Sequence, residues 1–253
     1  MAVIVPCYNE ANRLPTAEFT EFARQHAAHL RFVFVDDGSN DTTQDVLLEM
    51  AAKAGGSISV LSLRKNGGKA EAVRSGLNSS IAEGATSVAY LDADLATPLS
   101  EMLRMLEVFH ARDADILMGA RIALHGCAIE RNAARHYTGR VFATLASLIL
   151  RWRVYDTQCG AKVFRVNPTL CAALAEPFAS RWGFDIELLG RLTIGSPVAP
   201  PIPFSRIIES PLEKWTDVPG SKIGLASMMR TIAELALINA DLKKRRSNRE
   251  KPR

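Results

Sequence analysis

Asp92 and Asp94 end the apolar run Val88-Ala89-Tyr90-Leu91 with two carboxylates one residue apart. Side chains at i and i+2 of a strand face the same way. Both acids can therefore point into the crevice at the carboxyl end of a parallel strand, where α/β sheets bind ligands. Two hard oxygen ligands there suit Mg²⁺ or Mn²⁺ carrying a diphosphate. Taken alone, the pair reads equally as a polar strand end whose Asp94 caps the next turn.

Three other stretches also place polar side chains directly after an apolar run. Pro6-Cys7-Tyr8-Asn9-Glu10 follows Val3–Val5, and Asp36-Asp37-Gly38-Ser39-Asn40-Asp41 follows Arg31–Val35. Arg64-Lys65-Asn66-Gly67-Gly68-Lys69 follows Ser57–Leu63, and a fifth run, Asp115–Gly119, leads to Arg121. Helical spacing fills the gaps. It predicts helices over Thr16–His29 and from Asp41 to about Lys53, one carrying Ala70, Val73 and Leu77, and one from Pro98 with Leu99, Met102, Leu103, Leu106 and Phe109 on its face. Strands alternating with helices predict an α/β fold: a doubly wound, mostly parallel sheet covered on both faces, with all the polar strand ends at one crevice. No G-x-G-x-x-G follows the first strand, which disfavours a dinucleotide fold of the usual kind.

The second half is less regular. Ile129 to Trp152 reads as a long helix with Arg131, Arg135 and Arg140 early. Its stripe of Val141, Phe142, Leu145, Leu148 and Ile149, flanked by Arg151-Trp152-Arg153, suits either a membrane interface or packing on the sheet. Asp156–Arg165 reads as a turn into a strand, Asn167-Pro168 starts a short helix, and Phe184–Leu192 is another helical piece. The Pro-rich stretch from Pro197 to Phe204 suits an extended or edge segment, Ile207–Glu209 a strand, and Ile223–Ala240 an amphipathic helix.

The net charge of +4 is concentrated at one end. Of 31 Lys and Arg and 27 Asp and Glu residues, seven basic and two acidic ones fall in 241–253, so the body carries net −1. That excludes a uniformly basic nucleic-acid binder and leaves a basic tail, expected to be disordered, that can meet an anionic lipid surface. Four scattered cysteines without C-x-x-C spacing argue against zinc and a disulfide framework, and for a reducing compartment. No signal peptide and no apolar run of about 18 residues is seen, so no transmembrane helix is expected.

Taken together, P-x-Y-N-E at 6–10, D-D-G-S-x-D at 36–41, N-x-G-K at 66–69 and D-x-D at 92–94 resemble the family 2 glycosyltransferases of GT-A fold. DTQCGAKVFR at 156–165, RWGFDIELL at 181–189 and WTDVPGSK at 215–222 resemble the dolichyl-phosphate β-glucosyltransferase branch. The residues after D-x-D, Leu95-Ala96-Thr97, favour that branch over the mannosyl one, which tends to carry a polar ligand at the position of Ala96. The resemblance covers roughly Val3 to Lys222.

The resemblance implies roles for named residues. Pro6, Tyr8, Asn9, Glu10, Asp36, Asp37, Lys69, Asp92 and Ala93 would bind a nucleotide sugar, with Tyr8 stacked on uracil and Asp37 accepting from its N3–H. One of Asp36 and Asp37 is expected to be a turn residue instead. Asp94 is the firmer metal ligand; Asp92 serves the ribose, a metal-bound water or the metal itself. Arg121, Arg131, Arg135 and Lys222 would bind the acceptor phosphate, Asp156 and Gln158 the sugar. Asp185 would orient the acceptor, act as a base toward a hydroxyl, or cap its helix.

These roles imply an inverting transfer of glucose from UDP-glucose to a polyprenyl phosphate, assisted by Mg²⁺ or Mn²⁺, by a cytoplasmic protein peripheral to a membrane. The alternatives are a GDP-mannose donor, a glycan hydroxyl acceptor, or a non-catalytic nucleotide-sugar-binding protein. A single domain is expected over 1–240, with a nucleotide-sugar half (1–121), an acceptor half (122–240) and the tail (241–253) beyond it.

Overall fold

The structure is a computed structural model that describes residues 1–130, 133–218 and 225–250, with side chains excluded at 130, 133–138, 225–232 and 250. Five strands alternate with four helices in the first half. They are β1 (Ala2–Cys7), α1 (Thr16–Gln25), β2 (Arg31–Asp36), α2 (Thr43–Lys53), β3 (Ile58–Ser62), α3 (Lys69–Ala82), β4 (Ser87–Leu91), α4 (Leu99–Ala111) and β5 (Ile116–Ala120). Then come β6 (Ala128–Glu130), α5 (Ala133–Leu150), β7 (Ala161–Arg165), α6 (Pro168–Leu174) and α7 (Phe184–Ile194). A short 3-10 turn leads to β8 (Ile207–Pro211), β9 (Lys214–Thr216) and α8 (Leu225–Glu250).

The main sheet runs β3-β2-β1-β4-β7-β5-β8, and β6 pairs with β9 in a small second sheet. Only β7 is antiparallel to its neighbours in the main sheet, so the expected mostly parallel, doubly wound sheet is what forms. The chain adds β2 and β3 on one side of β1, then returns to add β4 on the other. That reversal opens a crevice at the carboxyl ends of β1 and β4.

Apolar side chains cover both faces. On one face Ile4, Val35, Tyr90, Met118 and Phe164 pack with Val73 and Leu77 of α3 and Leu188 and Leu192 of α7. On the other, Val5, Phe34, Leu91 and Leu117 pack with Phe19, Leu47 and Met102 of α1, α2 and α4. Phe19 meets Phe32 and Phe34 edge-on, and each such ring buried stabilises the sheet by roughly 1.5–3 kcal/mol. Gly76 lets α3 sit directly on β1 and β2; a Cβ there would stand 2.7 Å from Ile4 and 2.8 Å from Val35.

Two expectations are corrected. The helix expected from Ile129 starts at Ala133, because Ala128–Glu130 is extended and pairs in register with Lys214–Thr216. The tail expected to be disordered continues α8 to Glu250. Leu242 is fully buried, and Arg245 bonds Asp241 and Glu176. Arg246 and Arg249 donate to the terminal carbonyls of α5 and α7 at Ile149, Leu150 and Ile194, where cations offset the helix dipole. Arg245, Arg246 and Arg249 of the tail are thus used on the body. Residues 251–253 lie outside the described residues.

The stripe on α5 is divided. Ala143, Ala146 and Leu150 are buried and Phe142, Leu145 and Ile149 pack partly against the core, while Val141 and Leu148 are 63% and 70% exposed. No described helix is long and apolar enough to cross a membrane.

Candidate active site

The loops at the carboxyl ends of β1 and β2 are laced together. The Asn9 N–H donates to Ser39 Oγ at 3.0 Å, the Glu10 N–H to Thr43 Oγ1 at 2.8 Å, and the Asn40 N–H to Asn9 Oδ1 at 2.9 Å. Tyr8 Oη accepts from Asn40 at 3.4 Å. Asn9 takes a positive φ of 54°, which an Asn tolerates better than most residues.

The paired acids of β2 separate by role. Asp36 is the turn residue: its carboxylate accepts the Ser39 N–H at 3.1 Å. Asp37 holds the glycine loop, accepting the Gly67 N–H on one oxygen at 2.7 Å and the Gly68 N–H on the other at 2.8 Å. Burial raises its pKa, against the lowering effect of those two bonds. Arg181, from the loop before α7, closes the glycine loop from above by donating to Gly67 O at 3.1 Å and to Asn66.

Lys69, the first residue of α3, meets Asp92 at 2.5 Å. Both are partly exposed, so the pair lies at the crevice surface. Asp92 and Asp94 follow β4 rather than ending it, so strand alternation does not aim them. A turn does that, with Leu95 at a φ of 51° and the Ala96 N–H donating to Asp94 at 3.1 Å. Ala93 is buried at the turn's centre. Burial and the neighbouring charge of Asp92 raise the Asp94 pKa; Lys69 and Arg13 oppose them. Such a carboxyl gains most from a cation placed beside it.

No group of three or more metal-binding side chains occurs among the described residues. Two crowded carboxylates at a crevice mouth nonetheless fit a divalent ion that brings its remaining oxygens on a diphosphate. Asp94 and Asp92 would hold it.

Arg121 and Asp156, expected at phosphate and sugar, are bound to each other. The guanidinium grips both carboxylate oxygens, at 2.6 and 2.8 Å, and lies over the Trp215 ring at 5.3 Å. Burial alone would raise the Asp156 pKa, but the charge and hydrogen bonds of Arg121 outweigh it and hold the group at about 2. Gln158 follows in the same loop, its N–H donating to Asp156 at 3.0 Å.

Asp185 lies beneath the crevice in the second residue of α7. Its carboxylate pairs with Lys162 at 2.8 Å and accepts from the Tyr90 hydroxyl. Lys162 and Tyr90 are cross-strand partners on β7 and β4 and are fully buried. Burial and Asp185 push the Tyr90 phenol well above its ordinary value. The other helix-start role considered for Asp185, a cap, is not what it does.

Arg131 and Lys222 lie outside the described residues, and so does the side chain of Arg135, whose backbone is in α5. Sequence reasoning passed over Tyr90, Lys162, Glu209, Arg181 and Gly160. Glu209 accepts the N–H groups of Tyr155 and Asp156 at 2.9–3.0 Å and so supports the Asp156 loop. Gly160 lies against Asp92, whose N–H donates to the Gly160 carbonyl at 3.0 Å. Arg181, Gly160 and Lys162 were all within quoted segments, but nothing in the pattern marks a strand lysine as fully buried.

Residues 2–171 match the family model described as Glycosyl transferase family 2. A dolichyl-phosphate beta-glucosyltransferase of Drosophila melanogaster is 32% identical over 237 residues, spanning 88% of this chain and 69% of that protein. The mouse protein of the same name is 31% identical over 246 residues, with the same coverage. Among solved structures, glucosyl-3-phosphoglycerate synthase from Mycobacterium tuberculosis in complex with Mn²⁺, UDP and glucosyl-3-phosphoglycerate superposes with a TM-score of 0.65 at 18% identity. That match covers 94% of this chain and 79% of the other, and supports the fold alone.

Proposed function

We infer from this chain, which belongs to glycosyl transferase family 2, that it transfers glucose from UDP-glucose to a polyprenyl phosphate with inversion at the anomeric carbon. The relatives' activity supports the donor sugar and the acceptor class. The observation that carries the acceptor reading is the binding of Asp185 to Lys162 and Tyr90. A hydroxyl acceptor needs a base to take its proton. A phosphate acceptor is already anionic at pH 7 and needs positioning instead. A buried carboxylate committed to a lysine and a phenol is poorly placed to be that base, which favours the phosphate.

In this reading residues 1–121 bind the donor and 122–240 the acceptor. Tyr8 stacks on the uracil, and Asp37 fixes the glycine loop beside it, its remaining lone pairs facing the base. Asp94 and Asp92 would hold Mg²⁺ or Mn²⁺, which would supply Lewis-acid neutralisation of diphosphate charge. Lys69 passes from Asp92 to a diphosphate oxygen as the donor binds. Arg131, Arg135 and Lys222 position the acceptor phosphate for a single in-line displacement, so no covalent sugar–protein intermediate forms. The exposed Val141 and Leu148 and the exposed Lys243 and Lys244 face the bilayer that contains the lipid.

The test is a radiolabelled-sugar assay with UDP-glucose, polyprenyl phosphate and Mn²⁺, with the lipid product identified. Transfer of glucose to the lipid phosphate is expected, and Asp94→Ala is expected to lower its rate about a hundredfold or more. A higher kcat/KM with GDP-mannose would overturn the donor assignment, and glucosylation of a glycan hydroxyl would overturn the acceptor.

A further inference from the structure

The glycine loop, Asn66-Gly67-Gly68, is held from two sides by opposite charges. Asp37 accepts the Gly67 and Gly68 N–H groups. Arg181 takes the carbonyl ends of the same two peptide units: its guanidinium donates to Asn66 O at 3.3 Å and Gly67 O at 3.1 Å, and also to Asn66 Oδ1. The Arg181 carbonyl then accepts the Ala70 N–H at 3.2 Å, one of the first-turn donors that α3 leaves without an intrahelical partner. Arg181 thus brackets Lys69, gripping the chain before it at Asn66 and Gly67 and after it at Ala70. The fit is close: a Cβ on Gly68, whose φ is 91°, would stand 2.7 Å from Arg181 Nε.

The segment that carries Arg181 is fixed in turn. Buried Glu187 of α7 accepts the Ala179 N–H at 2.9 Å and the Ser180 N–H at 3.3 Å, and Arg191 holds Glu187 at 2.6 Å. Glu234 of α8 accepts from Ser180 Oγ and from the Trp182 and Gly183 N–H groups, both at 3.3 Å. The backbone on either side of Arg181 is therefore anchored to α7 and α8. Its side chain is exposed, yet it spends its donors on the loop opposite instead of on water. Ordering a long exposed side chain in this way costs conformational entropy and adds little to global stability.

We propose that Arg181 is a positioning residue for the donor's diphosphate, acting through Lys69. The proposal rests on the reading of the crevice as a site for a uridine diphosphate sugar, and adds how the second half of the chain sets the first. The Gly67 and Gly68 N–H groups are spent on Asp37, so this loop offers a diphosphate the Lys69 ammonium and not a cradle of N–H groups. By fixing the chain on both sides of Lys69, Arg181 sets where that ammonium stands when it leaves Asp92.

Calorimetric titration of the full chain with UDP and Mn²⁺ reads this without requiring transfer. Arg181→Ala is expected to weaken UDP about tenfold, with a melting temperature within about 2 °C of the parent. Arg181→Gln keeps an NH₂ donor for the loop carbonyls and should recover part of the loss. Lys69→Ala should weaken UDP by a similar factor, and adding Arg181→Ala to it should cost less than about twofold more. In turnover, Arg181→Ala should raise the donor KM about tenfold and change the acceptor KM by less than about twofold. Unchanged UDP affinity in Arg181→Ala would overturn the proposal, and so would a Gln variant as weak as the Ala one. A loss that persists in full without Lys69 would mean that Arg181 meets the diphosphate itself, which also overturns it. A parent chain that binds no UDP would overturn the donor reading and this proposal with it. Failure of polyprenyl phosphate to accept glucose would overturn the acceptor reading alone.

Discussion

Gly160→Ala tests whether Asp92 needs the place it occupies. A Cβ on Gly160 would overlap the nearer carboxylate oxygen and Cγ of Asp92, and even the farther oxygen, Oδ1, would stand only 2.8 Å away. Ordinary contact needs about 3.5 Å, so the carboxylate must withdraw by on the order of 1 Å. Turning about χ1 and χ2 to clear the methyl also moves the oxygen that meets Lys69 at 2.5 Å. A displacement of that size at a reacting centre costs about a hundredfold, or roughly 2.7 kcal/mol of barrier. Initial rates with UDP-glucose and polyprenyl phosphate are the assay, with a thermal melt to confirm folding. A double-mutant cycle makes the cause specific: an Asp92→Ala background removes the three atoms nearest to that methyl, so Gly160→Ala should add little there. A Gly160→Ala protein within about threefold of the parent rate, or one equally impaired without Asp92, would refute the reasoning.

Other expectations concern the buried pairs and the last helix. Arg121→Ala leaves Asp156 buried without its partner and should destabilise the fold by about 3–5 kcal/mol in urea titration. Asp156 is held at about 2 against an ordinary 3.8, so its contribution, about 2 kcal/mol, is present above pH 4 and lost as pH falls toward 2. Melts of the parent between pH 5 and 2 should show that loss. Leu242→Ala, at a fully buried contact with Gly190, should cost about 2–5 kcal/mol, a fall in melting temperature that a disordered tail would not give. Lys243→Ala with Lys244→Ala should weaken sedimentation with anionic vesicles about tenfold while leaving melting unchanged, and equal sedimentation would remove these lysines from membrane binding.

The first half, residues 1–121, was largely legible because its information is local. Each strand is a short apolar run, each helix has its own period, and the motifs fall in the connecting loops. The loops' mutual bonds were not legible. Asp37 and Gly67 are 30 residues apart, Arg121 and Asp156 35, and Tyr90 and Asp185 95, and no periodicity encodes which polar group meets which. Lys162 was read as part of an ordinary strand because lysines are seldom buried unless paired, and its pair is on another element. Strand alternation misled at Asp92 and Asp94, where the strand had already ended. Basic composition misled at the tail, since a charge run looks alike whether it is solvated or, as with Arg246 and Arg249, spent on helix carbonyls.

On the proposed function, the Lys69–Asp92 pair has a consequence for how the donor arrives. A crevice with an open cation would draw an anionic ligand over long range and lose that pull as salt is added. Here the cation's field is cancelled at its source until the ligand is already in contact. Donor binding exchanges one ion pair for another, and added salt weakens both sides of the exchange. On that reading Lys69 adds little to the ionic-strength dependence of the donor's KM.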